Sequence, residues 1–239
     1  MLELKNIYKT FNPGTINEKV ALNGLNLTLN EGDFVTVIGG NGAGKSTMLN
    51  AVAGTWMVDE GQILIDGIDV TKLSEHKRAT YLGRVFQDPM TGTAATMGIE
   101  ENLALAKRRG KTRLLKPGIT KAERQEYKEL LKILGLGLED RLTSKVGLLS
   151  GGQRQALTLL MATLQKPKLL LLDEHTAALD PKTAAKVLEI TEMIVNRDHL
   201  TTMMITHNMQ DAITHGNRLI MMMEGRIILD IQGEEKKKL

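Results

Sequence analysis

Residues 39–47 read Gly-Gly-Asn-Gly-Ala-Gly-Lys-Ser-Thr and carry the clearest chemical signal in the sequence. They fit the pattern G-x4-G-K-[ST], whose glycines let the backbone curl until its N–H groups face an anion. A helix expected near 45–53 adds the positive end of its dipole. Lys45 can then reach β- and γ-phosphates, and the Ser46 hydroxyl can ligate Mg²⁺. A glycine-rich turn that merely contains Lys-Ser is the alternative, but a strand before and a helix after favour phosphate binding.

Two adjacent carboxylates, Asp173 and Glu174, follow the four-leucine run at 169–172. Such a run predicts a buried parallel strand, and open α/β sheets bind ligands beyond the carboxyl ends of their strands. Asp173 can therefore reach a Mg²⁺ shell, while Glu174 can point at a water in line with the γ-phosphate. A helix cap at the strand end would explain Asp173 alone. Its combination with the phosphate loop favours the catalytic interpretation.

Residues 149–153, Leu-Ser-Gly-Gly-Gln, precede apolar residues at helical spacing. At a helix start, the hydroxyl of Ser150 and the unobstructed N–H groups of Gly151 and Gly152 favour a phosphate, as does the helix dipole. The motif therefore predicts a second anion site. Taken alone, it is equally explained by an ordinary N-cap followed by flexible glycines.

The elements that would position these motifs are short and apolar. Residues 34–38, 169–172 and 201–205 each predict a buried parallel strand, because they are brief apolar or β-branched runs. Asp66-Gly67, between two such runs, predicts a hairpin turn, because glycine tolerates the positive φ that a tight turn needs. The pattern indicates an α/β protein with additional antiparallel strands.

The middle of the chain, from about 98 to 149, is predicted to be helical. Thr120 and Glu123 form a capping box ahead of apolar residues at helical spacing, so an amphipathic helix should begin there. The basic segment 107–118 is expected to be a solvated loop rather than a contact for anionic lipid or nucleic acid. The terminal residues 234–239, Glu-Glu-Lys-Lys-Lys-Leu, are expected to fray.

Composition sets broad limits on function. The chain has 239 residues, 42% apolar and 25% charged, which is ordinary for a globular protein. The 31 Lys and Arg against 28 Asp and Glu give a net charge of +3, so nucleic acid is not the expected partner. Cysteine is absent, which rules out thiolate metal sites. The sequence lacks a secretory signal and an apolar run of membrane-spanning length, so a cytosolic chain is expected.

These motifs form an ordered set that closely resembles the ATP-binding-cassette (ABC) ATPases along nearly the whole chain. The set comprises the phosphate loop, Gln87 in Val-Phe-Gln-Asp-Pro, the 149–153 motif, the 169–174 run, Asp180 in Ala-Leu-Asp, and His207. The resemblance implies an α/β P-loop NTPase, with a RecA-like core, an antiparallel β subdomain and an inserted α-helical subdomain. It implies a single domain over residues 1–239. Within it, residues 1–88 and 154–239 would form the nucleotide-binding core with its β subdomain, and residues 89–153 would form the helical signature subdomain.

The resemblance also implies residue roles. Lys45, Gln87, Glu174 and His207 would be catalytic: Glu174 as the base, His207 as the γ-phosphate switch and Gln87 as the sensor of Mg²⁺ and water. Ser46, Gln87 and Asp173 would serve the metal. The nucleotide contacts would be Phe11 on adenine, Val20 as a lesser candidate, Gly39, Asn41, Gly42, Ala43, Gly44, Lys45, Ser46, Thr47, Ser150, Gly151, Gly152, Gln153 and Asp180.

Three of these roles have structural alternatives. Asp180 precedes Pro181 at a helix start, so capping alone would explain it. Phe11 could be a core or hairpin aromatic, and His207 a structural histidine at a strand end.

At the level of function, the resemblance implies an ATP-hydrolysing motor that binds ATP and Mg²⁺ and closes as a head-to-tail homodimer. No fused membrane domain and no C-terminal regulatory domain are expected, and the sequence resembles the separate ATPase subunit of bacterial importers. Two permease subunits would dock near Gln87 and the helical subdomain, at the cytoplasmic face of the membrane. An extracytoplasmic substrate-binding lipoprotein would be a further partner.

The string 173–184 resembles a bacterial subgroup linked to the uptake of amino acids, such as tryptophan or tyrosine. The alternative is a mechanical ABC ATPase that acts on a membrane complex in cell-wall remodelling or lipoprotein extraction.

His175 departs from the family pattern, because most members have proline after the glutamate. Histidine restores an N–H and adds a titratable ring at this position. A tolerated substitution is the favoured explanation, and a role in catalysis or in a dimer contact is the alternative.

Overall fold

The computed structural model describes residues 1–111 and 118–238, so half of the basic segment at 107–118 lies outside the described residues. The strands form two sheets, one of six strands and one of four. The strands are β1 (Leu2–Phe11), β2 (Lys19–Leu29), β3 (Phe34–Ile38), β4 (Glu60–Ile65), β5 (Ile68–Asp69), β6 (Leu82–Val85), β7 (Leu169–Asp173), β8 (Thr202–Ile205), β9 (Arg218–Met223) and β10 (Arg226–Gln232).

The helices of the described residues lie on both sides of the larger sheet and in an excursion between β6 and β7. They are α1 (Lys45–Ala53), α2 (Glu75–Arg78), α3 (Ile99–Lys107), α4 (Lys121–Lys132), α5 (Gly151–Thr163), α6 (Pro181–Asp198) and α7 (Met209–Thr214).

The six-stranded sheet has the order β10-β9-β3-β8-β7-β6, in which only β10 runs antiparallel to its neighbour. The three predicted parallel strands are confirmed as β3, β7 and β8, with one residue of difference at an end of β7 and β8. Parallel neighbours bring their carboxyl ends to one edge, so the residues that follow β3, β7 and β8 meet there.

The leucine run at 169–172 is apolar throughout because its strand is covered on both faces. Leu169 and Leu171 belong to the core beneath α1 and the smaller sheet, whereas Leu170 and Leu172 belong to the core beneath α5 and α6. All four leucines are at most 1% exposed. A strand between two cores has no solvent face, which explains why its sequence does not alternate with polar residues.

The smaller sheet has the order β2-β1-β4-β5 and is antiparallel. Asp66 and Gly67 connect β4 to β5 with φ angles of +53° and +76°, which confirms the predicted hairpin turn. The last pair of β1 and β2, Phe11 opposite Lys19, brings both residues to the end of this sheet.

The helical excursion contains α3 and α4, and the predicted capping box of α4 is present, with Glu123 N donating to Thr120 Oγ1 at 3.2 Å. Tyr127 and Leu131 are fully buried on its apolar face. The boundary expected at 153/154 falls inside α5, whose buried face packs into the same core as α3 and α4. The division into subdomains therefore stays a prediction.

The expectation of a frayed C-terminal tail is wrong for Lys236. This side chain is 3% exposed, and its ammonium donates hydrogen bonds to the backbone carbonyls of His215 and Gly216, the latter at 3.1 Å. The Lys236 side chain stays buried because it provides hydrogen-bond donors for two backbone carbonyls that follow α7. In the described ranges, no helix combines the length and apolarity required to cross a membrane.

Candidate functional site

The phosphate loop leaves β3 and enters α1, and it encloses a cavity of about 180 Å³. Gly39 and Gly44 explain why this loop needs glycine, since they have φ angles of +149° and +101°. A Cβ atom would lie 2.4 Å from the Met222 carbonyl oxygen at Gly39 and 2.6 Å from that of Ala21 at Gly44. The described residues that line the cavity are Lys19, Ala21, Asn41, Gly42, Ala43, Gly44, Lys45, Ser46, Thr47, Glu174 and His207.

Lys45 is held within the loop it belongs to. Its ammonium donates to the carbonyl oxygens of Gly39 at 2.7 Å and Gly40 at 3.1 Å, and the side chain is 5% exposed. Burial lowers the pKa of Lys45, while the nearby carboxylate of Glu174 opposes that shift. A cation held by two carbonyls in a small polar cavity is well placed to exchange those contacts for phosphate oxygens.

Glu174 and His207 meet at this cavity although 32 residues separate them in the sequence. His207 Nε2 lies 2.5 Å from Glu174 Oε1, and the Glu174 side chain is 11% exposed. Both residues follow neighbouring strands, β7 and β8, so the parallel sheet delivers them to the same edge. The structure therefore joins the predicted base and the predicted switch residue over the phosphate loop.

A larger cavity, of about 650 Å³, opens beside the same pair. Its lining includes Leu179 before α6, Leu188 within α6 and Asp211 in α7, together with Glu174 and His207. Glu174 and His207 thus form the partition between the phosphate-loop cavity and this second space.

Asp173 does not line the phosphate-loop cavity within the described part of the chain. Its carboxylate accepts from Arg84 Nη2 at 3.3 Å, and the same guanidinium donates to Asn50 Oδ1 at 2.7 Å. Gln87 is exposed beyond β6 and is likewise outside the described lining. Arg84 was not among the predicted site residues; its side chain comes from β6, which pairs with β7, and only that pairing identifies it.

For a metal, the described residues offer oxygen ligands rather than a complete cage. Ranges 1–111 and 118–238 contain no cluster of three or more His, Asp or Glu suited to a metal ion. The Ser46 hydroxyl lines the cavity, and the Asp173 carboxylate lies at the end of β7, at the same edge of the sheet. Hydroxyl and carboxylate oxygens suit Mg²⁺, which takes its remaining ligands from phosphates and water.

Lys19 is a cavity residue that the sequence motifs do not reveal. It begins β2, and its Nζ lies 3.4 Å from the position that a Cβ would take at Gly42. The smaller sheet therefore places a second ammonium over the phosphate loop, in addition to Lys45. A lone lysine at a strand start has no sequence signature, so only the structure could assign it to the site.

Phe11 and Val20 lie next to this cation at the open end of the smaller sheet. Phe11 is half-buried and makes an edge-to-face contact with Trp56, with ring centroids 4.9 Å apart and planes at 79°. Val20 is 49% exposed. Neither side chain belongs to the described lining of the phosphate-loop cavity, so the adenine contact expected of Phe11 and Val20 stays a prediction.

The 149–153 motif opens α5 and lies at a separate cavity of about 510 Å³. Ser150 Oγ accepts from Gln153 N at 3.3 Å, and Gln153 Oε1 accepts from Ser150 N at 3.2 Å, so the motif forms a capping box. Lys182 and Lys186 of α6 line the same cavity. This cavity shares no described lining residue with the phosphate-loop cavity, so the structure does not bring the two predicted anion sites together.

Gly151 and Gly152 permit close packing of this motif on α6. A Cβ at Gly152 would lie 2.1 Å from the Thr183 methyl carbon, and one at Gly151 would lie 3.1 Å from Leu179. Asp180 caps α6, with its Oδ1 accepting from Thr183 N at 3.1 Å. Hydrogen bonding from the Thr183 side chain, followed by that from its backbone N–H, lowers the pKa of the Asp180 carboxyl. The capping role of Asp180 is therefore present, whatever further contact it makes.

His175 turns away from the site into the protein. Its side chain is 1% exposed, and its Nε2 lies 3.0 Å from Thr191 Oγ1 on α6. Burial lowers the pKa of His175 to about 4, with a smaller contribution from the charge of His215. The ring is therefore neutral near pH 7 and shares one hydrogen bond with Thr191 inside the core.

This architecture and the comparison with known proteins agree. Residues 22–177 match the family model for ABC transporters. The chain belongs to this family and is an ATP-binding cassette, the ATPase domain of an ABC transporter. The α/β P-loop NTPase fold expected from the sequence is confirmed.

Individual relatives refine the comparison. The tyrosine transport ATP-binding protein of Clostridioides difficile is 45% identical to this chain, with coverage of 100% of this chain and 95% of the relative. The spermidine/putrescine import ATP-binding protein of Haemophilus influenzae is 34% identical over 96% of this chain, which spans 57% of that relative's length. A dimeric ATP-binding cassette in a post-hydrolysis state with ADP and phosphate has a TM-score of 0.81 and 31% identity, with coverage of 97% and 98%.

Proposed function

We propose that this ATPase powers a bacterial importer of small solutes, and that the residues assembled at the phosphate loop carry out its hydrolysis step. The observation that carries the hydrolytic assignment is the contact between Glu174 and His207 at the cavity that Lys45 and Ser46 line. Tertiary folding brings Glu174 and His207 to the adjacent Lys45 and Ser46. Each of these side chains has a chemical role in phosphoryl transfer.

In this proposal, Lys45 and the backbone N–H groups of the loop bind the β- and γ-phosphates, and Lys19 adds a second positive charge. Glu174 orients a water and accepts its proton as the water oxygen attacks the γ-phosphorus. The bond from that phosphorus to the ADP oxygen then breaks. His207 holds the Glu174 carboxylate and donates to the γ-phosphate.

The Ser46 hydroxyl would hold Mg²⁺ together with phosphate oxygens, with Asp173 and Gln87 contributing from the neighbouring strand ends. When bound, the metal neutralises charge on the transferred phosphoryl group. Arg84 contacts one oxygen of the Asp173 carboxylate, Oδ2, at 3.3 Å, and the second oxygen would be the one that serves the metal.

A head-to-tail dimer would complete the site. The 149–153 motif lines a cavity separate from the phosphate-loop cavity. In this conformation, the motif and the phosphate loop of one chain therefore cannot contact the same nucleotide. Two copies related by twofold symmetry could each supply Ser150, Gly151, Gly152 and Gln153 to the nucleotide of the other. A related solved cassette is dimeric, which supports this proposal.

Two integral-membrane permease subunits would couple to this motor at the cytoplasmic face of a bacterial membrane, and an extracytoplasmic binding lipoprotein would deliver solute. The candidate docking surface lies around Gln87 and the helical region, where Met90 is 49% and Leu148 71% exposed. The relatives named for tyrosine transport and for spermidine/putrescine import favour an importer over a mechanical ATPase. An amino acid such as tyrosine is the proposed solute.

The hydrolytic part is tested with Glu174→Gln. This variant should bind ATP but lose turnover, and the ATP-bound dimer should accumulate, because the amide cannot accept the water's proton. Steady-state phosphate release and size-exclusion chromatography with ATP report the two effects. Turnover equal to that of the parent protein would show that Glu174 is not the base.

The importer part requires a separate experiment. The chain would be reconstituted with its permease and binding protein in liposomes, and ATPase activity measured with tyrosine, tryptophan and spermidine. Stimulation by tyrosine is expected. Stimulation by a polyamine alone would overturn the amino-acid assignment, and absence of stimulation by every solute would contradict the importer proposal.

A further inference from the structure

The backbone at Glu174 is held in an unfavourable conformation. Glu174 has a φ of +49°, in the left-handed region that residues with a side chain seldom adopt. Two hydrogen bonds fix its backbone, from Glu174 N to Ile205 O at 3.1 Å and from Ala177 N to Glu174 O at 2.9 Å. Such a conformation persists only when surrounding contacts impose it.

The neighbouring His175 supplies a contact of this kind. Thr191 is fully buried, and its hydroxyl donates to Val187 O at 2.8 Å. The hydroxyl proton is thereby used, so the Thr191 oxygen accepts from His175 Nε2–H at 3.0 Å. The bond spans 16 residues and joins the turn after β7 to the middle of α6.

Helix α6, which carries the Thr191 end of this hydrogen bond, is fixed by its cap and by core packing. It has 18 residues, Asp180 caps its first turn, and Val187, Ile190 and Ile194 are buried on its inner face. The hydrogen bond therefore connects the residue next to Glu174 to an element that core packing holds in place. The Glu174 side chain leaves the same turn and contacts His207 at the phosphate-loop cavity, whereas the His175 ring is buried against α6.

We propose that His175 is a positioning residue for hydrolysis, whose bond to Thr191 fixes the turn and thereby holds the Glu174 carboxylate against His207. The inference rests on the proposed role of Glu174 as the base. The buried ring is then a functional part of the turn rather than a neutral replacement. Loss of the bond should impair the chemical step and leave nucleotide binding intact, because Lys45 and the phosphate loop do not contact this pair.

Two pairs of variants test the bond. Thr191→Val removes the acceptor at nearly constant shape, and His175→Phe removes the donor but keeps a ring. Thr191→Ser and His175→Gln are the matched controls, since they retain a hydroxyl and an Nε2 donor. Measurements are kcat and KM for MgATP, equilibrium ADP affinity, and the midpoint of thermal unfolding for each purified full-length chain.

Thr191→Val and His175→Phe should each lower kcat by about three- to tenfold, the effect of one hydrogen bond, with ADP affinity unchanged. The double variant should lose no more than either single variant, because both remove the same bond. Thr191→Ser and His175→Gln should restore most of kcat.

Parental kcat in folded Thr191→Val would overturn the inference, as would additive losses in the double variant. A parallel fall in ADP affinity would also overturn it, because that result indicates general distortion of the site. Glu174→Gln separates the two hypotheses. If that variant hydrolyses ATP, the proposed function fails and this inference falls with it, whereas an inactive Glu174→Gln beside a fully active Thr191→Val refutes the positioning role alone.

Discussion

Replacing Lys19 with methionine should weaken the binding of ADP and ATP while leaving adenosine binding unchanged. The side chain lines the phosphate-loop cavity, with its Nζ 3.4 Å from the Cβ position of Gly42. Two unit charges at about 4 Å interact by about 1 kcal/mol in bulk water and about 4 kcal/mol at an effective dielectric constant of 20. Because Lys19 is exposed, its contribution should lie near the lower value, which corresponds to about a fivefold change in Kd.

The position of Trp56 provides a fluorescence assay for nucleotide binding. Trp56 is the single tryptophan of the sequence, and its ring contacts Phe11, the proposed adenine contact. Stacking of adenine on Phe11 should therefore change Trp56 fluorescence, which can be titrated with adenosine, AMP, ADP and ATP. The effect of Lys19→Met should grow with the number of phosphates and shrink at high ionic strength, since salt screens exposed charges.

Two controls sharpen this prediction. Lys19→Arg keeps the positive charge and should bind ADP nearly as the parent does. Lys168→Met removes a lysine that pairs with Asp66 at 2.8 Å, outside the phosphate-loop cavity, and should not change nucleotide affinity. Equal ADP affinity of parent and Lys19→Met at low salt would refute the assignment of Lys19 to the phosphate site.

Two further predictions concern stability. Gly152→Ala should lower the free energy of unfolding by about 1–3 kcal/mol, because its Cβ would lie 2.1 Å from the Thr183 methyl carbon. Thr183→Ser deletes that methyl group, so in urea unfolding the double variant should recover much of the loss. If the effects of the two substitutions on stability simply add, this packing contact is contradicted. Burial lowers the pKa of Lys236 to about 8, so between pH 8 and 10.5 the unfolded chain binds more protons and stability should rise with pH relative to Lys236→Met. If the free energy of unfolding of the parent and of Lys236→Met changes with pH in the same way, the lowered pKa of Lys236 is refuted.

Features that depend on neighbouring residues in the sequence were predicted well. The hairpin at Asp66-Gly67, the start of α4 after Thr120 and the extent of α1 follow from turn chemistry, capping and helical spacing, and all three are present. The strand at 169–172 was also predicted, because an uninterrupted apolar run fits a strand buried on both faces.

Contacts between distant parts of the chain could not be predicted from local sequence patterns. The pairing of β6 with β7 places Arg84 on Asp173, and the register of β1 with β2 places Lys19 at the phosphate loop. The burial of Lys236 depends on two carbonyls just after α7, which lie 21 and 20 residues away in the sequence. None of these contacts leaves a periodic or motif-level trace in the sequence.

The sequence by itself determined the phosphate loop, the acidic pair and the family, because each is written in consecutive residues whose chemistry is local. Tertiary structure decided which of these residues meet. It joined Glu174 to His207, separated the 149–153 motif from the phosphate-loop cavity, and turned His175 inward to Thr191. The physical reason is that sheet order and helix packing set the distances between strand ends, and those distances depend on the whole core.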